Sequence, residues 1–284
     1  MGPFFMGIRK FIIVKSVGMY INMLGLLRPK MAARLAYRFF SEPREGRLEP
    51  HSLPEILQKA RREVISDGNG DYLSYTWPGG EHVSLLVHGW ESNAARWERM
   101  LPHLLEAGHT VVALDGPAHG LSHGREFNVP AYAELIEKAV QKYRPHFLIG
   151  HSMGGSACVY HQYKYGAGNL RKMILLGAPS DLSVLVGNYA RTLSLSTRVL
   201  SHLGQYFVDR FSIDPEDFSG GKFAKSFTLP GVIAHDLEDT IVAFDESRKI
   251  AGGWQGATFI ETRGLGHSMH DEDLYKQIMV HLSA

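Results

Sequence analysis

Short runs of apolar residues alternate with longer segments of helical spacing from about residue 63 onward. The runs that predict buried strands are residues 83–87, 110–114, 147–149, 173–176, 231–234 and 258–261. The segments that predict helices are residues 94–107, 129–143, 153–165 and 271–282. Continuous apolar strands separated by helices are typical of a mostly parallel sheet with helices on both faces. The pattern therefore predicts an α/β fold, in which the loops after the strands meet at one sheet edge.

One long interval interrupts this alternation. Residues 177–229 contain no convincing strand, and residues 182–218 instead show apolar positions at helical spacing. They predict two or three helices rich in Leu, Val, Tyr and Phe. We expect a helical insertion at about residues 180–228 that covers the sheet edge as a lid.

The first 40 residues lie outside the alternation and predict extra N-terminal helices. Residues 11–27 are largely apolar and follow Arg9 and Lys10, an arrangement that resembles a signal peptide. However, Lys15 and Asn22 interrupt the run, no cleavage pattern of small residues follows, and 17 residues are marginal for a bilayer span. Two interpretations remain open: helices that pack on the domain or on a second copy, and an amphipathic anchor on a membrane surface.

These patterns predict three parts of the chain. Residues 1–40 form the N-terminal helical segment, and residues 41–62 form a polar linker with three prolines and a first helix. Residues 63–284 form the α/β domain with its lid insertion. We expect a cytoplasmic protein, with membrane association left open.

Composition narrows the classes of function. Apolar residues make up 44% of the chain, as in a globular protein with a core, and the net charge of +1 offers no field for a nucleic acid. A small substrate that is weakly charged or apolar is the easier expectation. The 15 histidines are scattered without a metal-binding spacing, and no glycine-rich nucleotide motif occurs, so we predict no metal and no cofactor. The single cysteine, Cys158, excludes an intrachain disulfide.

The strongest chemical signal is a glycine-bracketed serine. Gly150, His151, Ser152, Met153 and Gly154 fit G-x-S-x-G, directly after a predicted strand and at the start of a predicted helix. Such a tight turn pushes the serine hydroxyl out at the sheet edge, and side chains at the glycine positions would collide with neighbouring backbone. We predict Ser152 as a nucleophile and the backbone N–H of Met153 as a donor to a developing oxyanion.

With this motif in its strand and helix context, residues 63–284 resemble the α/β-hydrolase superfamily, and in particular its lid-bearing bacterial serine esterases and related hydrolases. The resemblance implies a catalytic triad in the order Ser, Asp or Glu, His. It places the base in the loop after the last strand, where His267 is the candidate and His270 the alternative. The family often carries its acid as the Asp of a G-x-x-D-x-x-V pattern. When the valine of that pattern is placed at Val242, the acid is Asp239, and Asp236 and Glu238 are the alternatives.

The same resemblance assigns a second oxyanion donor and a function. His88, Gly89 and Trp90 fit the family's His-Gly-x loop, which makes the backbone N–H of Trp90 the donor. We interpret Asp115 and His119, in the loop after the next strand, as structural hydrogen-bonding residues. The expected activity is hydrolysis of an ester or related acyl bond. Thioester hydrolysis, acyl transfer, C–C bond hydrolysis and a non-catalytic binding module remain alternatives.

Overall fold

The computed structural model describes residues 8–66, 68 and 70–283 and contains one eight-stranded sheet. The strands are β1 (Arg61–Ser66), β2 (Asp71–Trp77), β3 (His82–Val87), β4 (His109–Leu114), β5 (Phe147–His151), β6 (Lys172–Leu176), β7 (Gly231–Asp236) and β8 (Ala257–Thr262). The helices are α1 (Ile8–Leu27), α2 (Pro29–Ser41), α3 (Glu55–Gln58), α4 (Leu101–Glu106), α5 (Val129–Tyr143), α6 (Met153–Tyr165), α7 (Leu182–Leu193), α8 (Thr197–Phe211), α9 (Gly220–Phe223), α10 (Phe244–Gly253) and α11 (Glu272–Ser283). Residues 1–7 of the predicted N-terminal segment, and Ala284 of the predicted domain, lie outside the described residues.

The sheet order is β1-β2-β4-β3-β5-β6-β7-β8. All pairs from β4 to β8 are parallel, whereas β1 pairs with β2, and β2 with β4, in antiparallel fashion. Two large apolar clusters cover the opposite faces of this sheet. The predicted fold class, a mostly parallel sheet with helices on both faces and a helical insertion, is confirmed.

Two local features were not predicted. The apolar runs do not predict β1 or β2. Strand β1 is an edge strand in which Ile65 is the one buried residue and both arginines face solvent, and β2 pairs with it through its backbone. The predicted helix over residues 94–107 is a 3₁₀ turn at Ala94–Arg99 followed by α4. Pro102 stands in the first turn of α4, where its missing N–H costs nothing, so the chain restarts its helix there.

The predicted lid consists of two long helices, α7 and α8, followed by the short α9. The N-terminal helices pack on these lid helices and not on the sheet. A third apolar cluster joins the two pairs, and its buried members are Ile21, Ala32, Ala33, Ala36, Tyr37, Val186, Leu193, Val199, Leu203 and Phe207. The Tyr189 hydroxyl of α7 also donates to the Ala36 carbonyl of α2 at 2.7 Å. Helices α1 and α2 are thus an outer layer on the lid.

The polar segment between α2 and α3 is fixed to the domain. Arg47 forms an isolated parallel bridge with Gly120, and the Leu48 N–H donates to the Gly120 carbonyl at 3.1 Å. The Arg47 guanidinium also donates to the Ser122 carbonyl at 2.5 Å. The predicted linker therefore runs as an extended strap along the loop that follows β4.

Candidate active site

Ser152 lies at the junction of β5 and α6 in an unusual backbone conformation. Its φ is 52° and its ψ is −128°, a region that a non-glycine residue adopts only when the surrounding structure imposes it. The Ser152 N–H donates to the Leu176 carbonyl of β6 at 2.8 Å, which holds the turn against the sheet. The hydroxyl consequently emerges at the carboxyl edge of the parallel strands, as the G-x-S-x-G motif predicts.

The glycines around Ser152 allow close contacts between backbones. A Cβ on Gly154 would lie 2.3 Å from both the Val87 and His88 carbonyl oxygens, and one on Gly150 would lie 2.7 Å from the Gly155 Cα. On the opposite loop, a Cβ on Gly89 would lie 2.8 Å from the Ser152 Cβ. Helix α6 can therefore begin directly against the end of β3, with the Gly89 loop above the serine.

Ser152, His267 and Asp239 form a continuous line of hydrogen bonds. His267 Nε2 lies 2.9 Å from Ser152 Oγ, and His267 Nδ1 lies 2.7 Å from Asp239 Oδ2. The Asp239 side chain is fully buried, whereas that of His267 is 20% exposed. The structure thus brings together the three predicted residues, which are up to 115 positions apart in the sequence.

Asp239 is held by four hydrogen-bond donors. Its Oδ1 accepts from the Ile241 and Val242 N–H groups at 2.8 and 2.9 Å, and its Oδ2 accepts from His267 and from His235 Nε2 at 3.1 Å. Burial by itself would raise the pKa of the Asp239 carboxyl, but the hydrogen bonds from both histidines and the charge of His267 outweigh burial and hold the pKa below its usual range. Asp239 is therefore a carboxylate at neutral pH.

His235, at the end of β7, is a partner of Asp239 that the sequence interpretation missed. It is completely buried, and its Nε2 also lies 3.0 Å from the Val242 carbonyl oxygen, while its Nδ1 lies 2.6 Å from Ser247 Oγ. Its position four residues before Asp239 was the available signal. The sequence does not show, however, that the loop after β7 folds back and brings Asp239 against His235.

The alternative candidates have other contacts. Asp236 accepts from the N–H groups of Glu238 and Leu265 and from the Thr262 hydroxyl, so it fixes its own loop. Glu238 is exposed and pairs with Arg263. His270 Nδ1 lies 2.6 Å from the Tyr275 hydroxyl oxygen. None of the three is hydrogen-bonded to Ser152 or His267 in the described structure, so Asp239 is the carboxylate the geometry favours.

Two further residues missed in the sequence hold the loop that carries His267. The buried His151, directly before Ser152, donates through Nε2 to the His267 carbonyl at 2.8 Å. Arg96 donates through Nη2 to the neighbouring Ser268 carbonyl at 2.8 Å. Burial, then the charges of Arg96 and His267, lower the pKa of His151 well below its usual value, so His151 is neutral at pH 7.

Trp90 and Met153, the two predicted oxyanion donors, line the same cavity as Ser152. Met153 is the first residue of α6, where backbone N–H groups lack intrahelical acceptors and the helix dipole is positive. The His88 ring fixes the opposite loop, because its Nδ1 donates to the Gly89 carbonyl at 2.7 Å and its Nε2 accepts from the Gly116 N–H at 2.8 Å. The loop that carries Gly89 and Trp90 is thus fixed beside Ser152 by the His88 ring.

Asp115 and His119 have the structural contacts expected of them. Asp115 accepts from the N–H groups of Ala94 and Leu121 and from the Tyr75 hydroxyl, each at 2.9 Å. His119 accepts from the Glu91 N–H through Nε2 at 2.9 Å. Burial raises the pKa of Asp115 to about 6 and lowers that of His119 to about 4. Burial and the charge of His119 lower the pKa of His88 to about 3.

An apolar cavity of about 670 Å³ leads away from Ser152. Met153 and Trp90 border it next to the serine, and lid residues such as Leu182 and Phe207 continue its wall. Helix α1 contributes Val14 and Val17, so the N-terminal helices also form part of the cavity. Its volume is that of a site for one small organic ligand. Among the described residues, no group of three His, Cys, Asp or Glu side chains is arranged to hold a metal ion.

Comparisons with known proteins agree with this architecture. Residues 85–198 match the model of the alpha/beta hydrolase fold family. The non-heme haloperoxidase of Rhodococcus erythropolis is 27% identical over 156 residues, which cover 51% of this chain and 57% of that protein. The chain thus spans little more than half the length of that relative.

Solved structures show the same fold at lower identity. A bromoperoxidase from Bacillus anthracis superposes with a TM-score of 0.61 at 16% identity, over 79% of this chain and all of that one. An esterase from Exiguobacterium antarcticum gives a TM-score of 0.58 at 17% identity, over 78% and 97% of the two chains. The chain therefore has the fold of the α/β hydrolases. Its candidate active site lies where the ligands of open α/β sheets bind, at the carboxyl edge of the parallel strands.

Proposed function

We propose that the protein is a serine hydrolase that cleaves an ester or a related acyl bond through Ser152, His267 and Asp239. The observation that supports this most strongly is the line of two hydrogen bonds, 2.9 Å from Ser152 to His267 and 2.7 Å from His267 to Asp239. A serine hydroxyl is a weak nucleophile until a neighbouring imidazole accepts its proton, and that imidazole needs a fixed tautomer. The arrangement meets both requirements.

In the first half of the reaction, Ser152 Oγ attacks the substrate carbonyl while its proton passes to His267 Nε2. Asp239 keeps the other ring proton on Nδ1 and stabilises the imidazolium that forms. The negative charge on the former carbonyl oxygen is bound by the N–H groups of Met153 and Trp90. The tetrahedral intermediate collapses to an acyl-enzyme when His267 returns the proton to the departing alcohol oxygen.

In the second half, a water molecule takes the place of the alcohol. His267 accepts a proton from that water, which attacks the acyl carbon, and the same two N–H groups hold the second oxyanion. The proton then passes from His267 to Ser152 Oγ, which releases a carboxylic acid and restores the enzyme. Asp239 holds the His267 ring during both halves, while His151 holds the backbone of the loop that carries it.

The same residues would serve a thioester, a transfer to another acceptor or a C–C bond next to a carbonyl. The apolar cavity favours an acyl group with a hydrocarbon chain, because about 25 cal/mol is gained for each Å² of apolar surface removed from water. A panel of esters and thioesters of matched chain length distinguishes these reactions, since only the leaving group differs between the two series.

Ser152→Ala tests the proposal directly, with turnover of p-nitrophenyl butyrate as the measurement. Loss of the nucleophile is expected to lower kcat by about 10⁴-fold or more. Ser268→Ala is the matched control, because Ser268 adjoins His267 but its hydroxyl donates to the Leu265 carbonyl and, among the described residues, not to the site. Turnover by Ser152→Ala within about tenfold of the wild type would overturn the proposal, since one decade corresponds to only about 1.4 kcal/mol of the barrier.

A further inference from the structure

Helix α1 carries large apolar side chains on all of its sides, and one of its faces is covered by the lid. Its inner face contributes Ile21, which is completely buried against the lid. Its outer face is 43–86% exposed at the large apolar side chains of Phe11, Ile12, Ile13, Met19, Tyr20, Met23, Leu26 and Leu27. With Met31 of α2, this short stretch holds nine of the 16 exposed large apolar side chains in the described chain. We call these nine side chains the outer face. A concentration of exposed apolar side chains of this kind marks an interaction site.

The contacts of α1 with the lid determine how the helix is oriented. By length and hydropathy, Arg9–Leu27 could cross a membrane, but a core helix or a signal sequence meets the same criteria, and 17% of the stretch is buried. Lys15 Nζ donates to the Thr192 carbonyl and Asn22 Nδ2 to the Ser194 carbonyl, each at 2.8 Å. Its polar residues are therefore used to fix α1 flat on the α7–α8 turn. The helix is placed to lie along a surface and not to span one.

The charge around this face is one-sided. Residues 8–41 contain seven of the 30 basic residues and none of the 29 acidic ones, so they carry +7 while the remainder of the chain carries −6. Within the described part of the chain, no ion pair is formed by Arg9, Lys10, Arg28, Lys30 or Arg34. Unpaired basic residues beside an exposed apolar helix face are complementary to an anionic lipid surface, to which each adds about 1 kcal/mol of attraction.

The outer face is continuous with the cavity at Ser152. Ile13 belongs to both, because it is 62% exposed and also lines the cavity. Lys10 lines the same end, while Val14 and Val17 extend the wall inward. An apolar path therefore leads from the surface of α1 between the lid and the N-terminal helices to the serine hydroxyl.

We propose that α1 lies in the surface of an anionic bilayer and that the substrate is a lipid ester with one long acyl chain, which enters the cavity from that surface. The substrate part of the proposal rests on the proposed function of Ser152, whereas the membrane part does not. The cavity volume of about 670 Å³ suits a single chain, because sites for one small ligand span roughly 300–1,000 Å³. The acyl carbonyl reaches Ser152, and the chain fills the apolar length of the cavity.

Charge also argues against a second copy of the chain as the occupant. A twofold interface would bring identical patches together, so each copy would present its unpaired basic residues to those of the other. Like charges placed opposite each other in an interface are costly, whereas anionic lipid headgroups neutralise them.

The membrane part is tested by flotation of the full chain with vesicles of phosphatidylcholine alone and with roughly 30 mol% phosphatidylglycerol. We expect binding to the anionic vesicles that weakens when the salt rises from about 0.05 to about 0.5 M, because surface charges are then screened. Met19→Glu with Met23→Glu should weaken binding at least about tenfold. Val64→Glu with Val280→Glu is the matched control, because both valines are exposed but lie on β1 and α11.

The substrate part is tested with p-nitrophenyl butyrate in solution and a long-chain monoacyl ester in the anionic vesicles. The Met19→Glu, Met23→Glu protein should retain butyrate turnover within about twofold, because neither methionine lines the cavity, and lose at least about tenfold on the vesicle ester. With soluble esters, kcat/KM of the wild type should rise about fourfold for each added CH₂ until the cavity is filled. Val17→Trp should move this limit to a shorter chain.

The possible outcomes separate the two parts. Equal vesicle binding by the wild type and the methionine variant, or no binding by either, would overturn the membrane proposal. A wild-type dimer that dissociates in the methionine variant would also overturn it and assign the outer face to a second copy. Butyrate turnover that survives Ser152→Ala would refute the proposed function while leaving the flotation result independent. A kcat/KM that does not increase with chain length would overturn the lipid substrate alone.

Discussion

Asp239→Asn changes one atom of the candidate site and should change the tautomer of His267. The Asp239 Oδ1 atom accepts two backbone N–H groups, from Ile241 and Val242, at 2.8 and 2.9 Å. The amide oxygen of the new side chain must take this position. An NH₂ group there would leave the Ile241 and Val242 N–H groups without an acceptor, which costs about 1–3 kcal/mol for each of them. The NH₂ of the new side chain must therefore point toward His267 and His235.

The consequence for His267 follows from that orientation. An NH₂ group facing Nδ1 donates to it, which places the ring proton on Nε2, where the wild type accepts the proton of Ser152. In the wrong tautomer the base cannot act, and the expected loss in kcat is about 10⁴-fold, or about 5.5 kcal/mol. KM should change little, since Asp239 does not line the cavity.

The assay is steady-state hydrolysis of p-nitrophenyl butyrate at about pH 7.5–8. This pH lies above the usual histidine pKa of about 6.5, so a histidine base is neutral. Glu238→Gln is the matched control, because Glu238 is an exposed carboxylate of the same loop that pairs only with Arg263. Thermal unfolding of both variants verifies folding. A kcat for Asp239→Asn within about tenfold of the wild type would refute the orientation argument, since that loss is only about 1.4 kcal/mol.

Two further predictions concern stability. His88, His119 and His151 are buried and neutral in the fold, with pKa values below the ordinary one, so between about pH 4 and 6.5 the unfolded chain binds about three more protons at these positions. Asp115, with its pKa raised to about 6, removes about one proton from that difference, whereas His270, with its pKa lowered to about 4, adds about one. The free energy of unfolding should therefore fall by about 4 kcal/mol per pH unit on acidification near about pH 5, since each proton contributes about 1.4 kcal/mol. Urea unfolding at about pH 7, 6 and 5 measures this fall in the free energy of unfolding. A free energy of unfolding that does not change with pH would contradict the prediction. Gly154→Ala should destabilise by about 2 kcal/mol or more, because its Cβ would meet two carbonyl oxygens at 2.3 Å, whereas Gly204→Ala, in open space on α8, should stabilise by about 0.5–1 kcal/mol. Equal melting temperatures for the two glycine variants would show that α6 is not packed against β3 as described.

The sequence predicts those parts of the site whose geometry depends on neighbouring residues in the chain. The turn at Ser152 is encoded by a strand, two glycines and a helix within a few residues, and the order of Ser152, Asp239 and His267 follows from the fold. His235 escaped detection because its contact with Asp239 depends on the path of the loop between them. The same holds for His151, whose donation to the His267 carbonyl joins two distant loops.

In the fold too, the sequence predicts the elements that have a local pattern and not those that depend on tertiary contacts. Buried parallel strands are readable because they are apolar runs, whereas β1 is a polar edge strand that pairs with β2 through its backbone. The sequence does not indicate where α1 packs, since a helix with apolar residues on all sides has no periodic face. Its contacts with α7 and α8 depend on tertiary packing, as does the cavity between them.

The proposed activity depends above all on Ser152 as a nucleophile that His267 activates. The most direct measurement is the rate and site of reaction with a fluorophosphonate, read by intact mass and by peptide mapping. We expect a single adduct on Ser152, formed more slowly by about two orders of magnitude or more in His267→Gln, because the base is then absent. An adduct on another residue, or equal rates for the two proteins, would contradict it.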